Sequence, residues 1–157
     1  MSQRTMDWDH DGRLSLVIHG KSSPSSLEWS RFVNHNRALV GRDLRVLVCS
    51  YGGGPDGSQR RELMEAVSHV SVPTVIMTNS LVARGIVSAL NCFNPTIKVL
   101  PIDADAAAHR FLGLNAAEAA RALELRHKLE RELGLGHSSG VEVRTSSRMG
   151  EGARRSD

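Results

Sequence analysis

Short apolar runs alternate with polar or glycine-rich breaks through the first two thirds of the chain, and apolar residues then recur at helical spacing up to Leu133. Thr5 to Asp9 and Leu14 to His19 flank a segment containing Asp11-Gly12. That pair readily takes the positive backbone angles of a tight hairpin, so two antiparallel strands open the fold. Ser22-Ser23-Pro24-Ser25 can cap a helix whose core face carries Trp29, Phe32, Val33 and Val40. Leu44 to Cys49 is short and rich in β-branched residues, which predicts a strand buried on both faces. Tyr51 to Gly57 is too dense in glycine and proline for regular structure and must be a loop. Ser58 to Val70 follows as an amphipathic helix with Leu63, Ala66, Val67 and Val70 on one side.

Pro73 to Thr78 reads as the next buried strand, with Asn79-Ser80 as the cap of a helix through Val82, Ala83, Ile86, Val87, Leu90 and Phe93. Asn94-Pro95 ends that helix. Thr96 to Leu100 is the last strand, and Asp103 can cap a short helix that runs to Leu112 and stops at Gly113. Asn115 caps a final helix, Ala116 to Leu133, with a narrow seam of Ala122, Leu125, Leu129 and Leu133. That seam suits either docking on the domain or pairing with a partner helix, including that of a second copy. The fold class is α/β: one mixed sheet, an N-terminal hairpin plus parallel strands joined by right-handed crossovers, packed with helices. Residues 1–133 form the domain, and 134–157, rich in Gly, Ser and Arg, form a disordered tail.

Composition narrows the function. The 157 residues are 40% hydrophobic and 24% charged, close to the globular norm, and only 4% aromatic, too few for a base-stacking platform. The net charge of +3 is modest, and only three of the 20 basic residues are Lys, so nucleic acid is not an expected partner. No apolar run approaches the ~20 residues of a membrane span, and the first residues lack a signal-peptide core, so the expected location is cytoplasmic. Cys49 and Cys92 lie in apolar stretches as reduced, buried thiols. The seven histidines are scattered without metal-ligand spacing, and no Gly-x-Ser-x-Gly element appears. No catalytic residue, metal or cofactor is expected, and the chain reads as a non-enzyme.

In open α/β sheets ligands bind beyond the carboxyl ends of the parallel strands. That edge would hold Tyr51, Gly52, Gly53, Gly54, Asp56 and Gly57 after one strand, with Ser58 and Arg61 on the following helix. Asn79, Ser80 and Arg84 would follow the next strand. Gly52, Gly54 and Gly57 formally satisfy G-x-G-x-x-G, but Thr78-Asn79-Ser80 stands where an acidic ribose partner belongs, and Pro55 stiffens the loop. A P-loop is a weaker reading still, because no Gly-Lys-Ser/Thr follows the glycines and no Lys is near to reach a phosphate. Two readings remain for the loop. It is either a tight strand-to-helix turn with positive-angle glycines and Ser58 as helix cap, or a site with Ser58 as an exposed phosphoacceptor. Its amides could also hold a nucleotide or another phospho-ligand.

The order Arg45 to Pro55, then a Ser58-led helix, then Pro73-Thr74-Val75-Ile76-Met77-Thr78-Asn79-Ser80, resembles the STAS domain, the fold of bacterial anti-anti-sigma factors. Gly52 to Asn94, with Leu81-Val82-Ala83-Arg84-Gly85-Ile86, is similar to small STAS-like proteins of myxobacteria, and the likeness spans about residues 5–113. It implies a regulatory or scaffolding module in signalling, binding a protein such as a regulator or kinase through this loop and helix start. By position it implies phosphorylation at Ser58, although Pro55-Asp56-Gly57-Ser58 replaces the usual Asp-Ser-Ser/Thr-Gly. A more distant likeness is to the Clp protease and crotonase superfamily. Ala83-Arg84-Gly85 lacks the nucleophilic serine that its protease branch needs.

Overall fold

The computed structural model describes residues 4–67, 71–82, 84, 85 and 96–135. Strands β1 (Met6–Asp11) and β2 (Leu14–His19) form the hairpin, with Gly12 in its turn at φ +58°. They are followed by α1 (Ser26–Leu39), β3 (Arg45–Ser50), α2 (Gly57–Ala66), β4 (Thr74–Thr78) and β5 (Ile97–Leu100). The described chain ends with α3 (Asp105–Phe111) and α4 (Ala116–Glu132). Residues 81, 82, 84 and 85 are also helical. The remainder of the helix expected there, with Ile86 to Phe93 and Cys92, lies outside the described residues, as does nearly all of the expected tail.

The sheet runs β1-β2-β3-β4-β5, with β1 antiparallel to β2 and all later pairs parallel. This is the mixed sheet that the alternation of strands and helices predicts. Because each parallel step moves in the same direction, right-handed crossovers place their helices on one common face. On that face, Trp29, Phe32 and Val33 of α1 pack with Met6 and Val17, and Leu63 and Ala66 of α2 join Trp8 and Val48 at its margin. The opposite face carries Leu14, Leu16, Ile18, Leu47, Cys49, Val75 and Met77. It would lie open to water without α3 and α4, which cover it with Ala108, Leu112, Ala122, Leu129 and Leu133. The leucine seam of the last helix is therefore spent inside the protein's own core rather than left for a second copy.

Local chemistry sets the element ends. Ser25 and Glu28 form a reciprocal capping box at α1, and Asn115 and Glu118 do the same at α4. Glu28 also accepts from Thr5 N at 2.7 Å and Thr5 Oγ1 at 2.9 Å, which ties the chain just before β1 to the start of α1. Burial opposes the Glu28 charge, yet these donors and those of Ser25 hold its carboxyl down to about 2. Val40 is the C-cap of α1 and is exposed, so Leu39 takes the core position expected of it. Asp103 does not cap the short helix, whose N-cap is Ala104 without a side-chain bond. Gly113 and Gly134 both end helices at positive φ (+65° and +70°). In each case the next amide reaches back a full turn, Leu114 N to His109 O and Leu135 N to Glu130 O, as a Schellman motif requires. Leu135 then packs on the core, so the domain extends two residues past the expected boundary.

Two outcomes follow from this packing. Leu129→Ala, at a side chain 1% exposed, loses roughly 2–5 kcal/mol of stability in a denaturant titration. The buried His19 imidazole has its pKa pushed down to about 4 by desolvation, so the folded state stays neutral where the unfolded chain takes up a proton. Stability from this group is present above pH 6.5 and is lost as pH falls toward 4, roughly 3 kcal/mol in all. The difference between wild type and His19→Gln, followed through that window, isolates this contribution.

Candidate functional site

Parallel pairing brings His19, Ser50 and Thr78 into register at the carboxyl ends of β2, β3 and β4. The chain therefore leaves all three strands at one rim of the sheet. The expected site residues from Tyr51 to Arg61 and from Asn79 to Arg84 all follow strands that end at this rim.

The glycine loop is clamped from within. Gly53 N donates to Gly20 O at 2.8 Å, Gly52 N donates to Ser50 Oγ at 3.3 Å, and Ser50 Oγ donates to Gly53 O at 2.6 Å. A Cβ on Gly53 would sit 2.2 Å from Ser22 O and 2.8 Å from Gly20 O, so only glycine lets this loop touch the β2–α1 connection. Gly52 alone in the loop takes a positive φ, +118°. Gly54 has open space where a Cβ would stand. The amides of Gly52 and Gly53, which would have cradled a phosphate, are thus directed at the protein's own oxygens.

The helix cap is Asp56, not Ser58. Asp56 Oδ1 accepts from Gln59 N at 2.8 Å, and Gln59 Oε1 accepts from Asp56 N at 3.0 Å, a complete capping box. The acid satisfies the orphan amide and complements the helix dipole, which leaves Ser58 in the first turn and exposed. Gln59 also donates to Pro24 O at 3.0 Å, and its carbonyl accepts from Trp29 Nε1 at 3.0 Å, so the start of α2 is fastened to α1. Arg61 and Arg84 are exposed. Asn79 holds the β5–α3 connection by accepting from Ile102 N at 3.2 Å, and Ser80 N donates to Thr78 Oγ1 at 3.1 Å. Beside them, Leu81 and Val82 are 80% and 74% exposed.

Tyr51 turns away from the rim toward α4. Its hydroxyl donates to Glu130 and accepts from Arg126 Nη2 at 3.1 Å. Arg126 also reaches Glu130 Oε1 at 2.6 Å and Asp105 Oδ1 at 2.7 Å. Burial and the Glu130 carboxylate push the Tyr51 phenol up to about 12, so it remains a neutral donor. Sequence reasoning missed this network. Its one visible signal is a charge at position 126 beside the apolar seam 122-125-129-133, paired at i,i+4 with Glu130. Cys49, just before Tyr51, is buried as expected, and desolvation pushes its thiol up to about 12, far from a reactive thiolate. Among the described residues no three metal-ligating side chains converge.

No family model and no curated protein matches the chain. What fold and site define together is a mixed α/β sheet covered by helices on both faces, whose carboxyl rim carries a sealed glycine loop and an exposed helix start.

Two substitutions separate packing from ligand as the reason for the glycines. Gly53→Ala loses roughly 1–3 kcal/mol, while Gly54→Ala stays within about 0.5 kcal/mol of wild type, both read by thermal or denaturant melts. Arg126→Met strands two carboxylates and costs about 3–5 kcal/mol, of which Arg126→Met/Glu130→Leu recovers a large part.

Proposed function

We propose that this protein is a non-enzymatic STAS-like regulatory module that acts in the cytoplasm and binds a protein partner at the carboxyl rim. The partner reads the α2 start, Asp56 to Arg61, together with Asn79 to Arg84. One observation carries the reading: the rim offers an exposed first helical turn and, beside Asn79 and Ser80, the solvent-facing Leu81 and Val82. A rigid polar helix end next to a small apolar step is the mixed surface that protein interfaces use. The inward-facing loop amides support a surface that is recognised from outside over a cradle that swallows a small anion.

Ser58 serves as the switch in this reading. Its place in the first turn of α2 suits a phosphate, because the helix dipole favours a dianion there. The same dianion changes the charge of the surface that the partner touches.

The test uses the full chain with Gly54→Arg and Ser58→Arg, at positions where added bulk meets open space or solvent. Native co-purification with mass spectrometry is expected to show specific associates of the wild type that disappear with the variant, while its circular dichroism and melting temperature hold. Retention of every associate would remove the rim as the site. A phosphate mass on the wild-type chain that is absent from Ser58→Ala would support the switch.

A further inference from the structure

The edge strand β1 presents Asp7, Asp9 and Asp11 on one face, toward α4. Asp11 pairs with Arg121 at 2.7 Å and Asp9 with Lys128 at 3.2 Å. Two residues back along β1 thus correspond to a step toward the C-terminal end of α4. The next position on that helix face is 132, four residues past Lys128, and there the ladder changes sign: the solvent-exposed carboxyl of Glu132 stands beside Asp7.

Asp7 is 4% exposed. Its Oδ1 accepts from Trp8 N at 2.9 Å and from Arg4, but its Oδ2 is buried with no donor among the described residues. A buried carboxylate oxygen without a donor is costly, and a second carboxylate beside it makes ionisation of both costlier. A single shared proton removes both penalties. We propose that Asp7 and Glu132 hold one proton between them, Asp7 Oδ2–H donating to the Glu132 carboxylate, as a latch that docks the last turn of α4 on β1. When the proton leaves to solvent, two carboxylates face each other and the turn lifts. The charged groups facing Asp7 are Arg4 before β1 and Glu132 on α4, while β2 places Ile18 opposite it. Burial first, and the bond to Glu132 second, raise the Asp7 carboxyl to about 6 against the opposing pull of Arg4. Leu129 and Leu133 of this turn lie in the core.

The latch acts apart from the rim and does not depend on it. Residue-specific NMR of the full chain tests it, because global stability also carries the opposite pH dependence of His19. In the wild type the Asp7 side-chain carboxyl is expected to titrate near 6, with amide protection over residues 129–135 falling about tenfold per pH unit between about pH 4 and 6 and levelling off above, after correction for intrinsic exchange. Glu132→Lys supplies the opposite-charge rung that the ladder lacks, and Glu132→Gln supplies a fixed donor. Both should lower the Asp7 midpoint from about 6, burial alone holding it above the free value, and flatten the pH dependence of protection in the last turn. An Asp7 midpoint near 4 in the wild type, a midpoint unmoved by both substitutions, or protection in the wild type that ignores pH would each overturn the latch.

Discussion

Every side chain of β2, from Leu14 to His19, is buried, and a strand without a solvent face needs a layer on each side of its sheet. The rest of the molecule answers that requirement. Crossover helices α1 and α2 supply one layer because sequential parallel pairing sends them to the same side. The other layer must come from the end of the chain, so α3 and α4 are not accessories. They are the second wall of a core that includes Leu16, Ile18 and Leu47. The constraint also has a cost: the buried Ser15 Oγ and His19 Nδ1 on this strand have no hydrogen-bond partner among the described residues.

The two layers together shape the rim. From one side the β2–α1 connection presses on Gly53, and from the other the α4 side chains of Arg126 and Glu130 take hold of Tyr51. A loop gripped at both points has little freedom left to close around a ligand. What it exposes instead is its far end, where Asp56 starts α2 and Ser58 faces solvent. The glycines that read as a phosphate fingerprint turn out to serve a close backbone contact and one left-handed residue.

How far these features could be read in advance depends on how local their chemistry is. Ser25 with Glu28 and Asn115 with Glu118 span three residues each, so capping boxes were legible where the first residue was recognised. Asp56 with Gln59 has the same form, yet Ser58 is an equally good cap type two residues later, and composition does not choose between them. The strand order was legible in outline from the alternation of buried runs and helices. The Arg126 network was not, since Tyr51 and Arg126 lie 75 positions apart and no periodicity links them. Arg13 with Glu118, at 2.9 Å across 105 positions, is a second long-range pair of this kind.

Local pattern was enough to determine the number and order of the described strands, the mixed character of the sheet and the apolar seam of the last helix, because hydrophobic spacing and turn residues act within a few positions. The tertiary structure decided what that seam touches, which glycine is indispensable, which acid caps α2 and which carboxyl meets which. Those outcomes depend on the distance between segments remote in the chain, and only packing sets that distance.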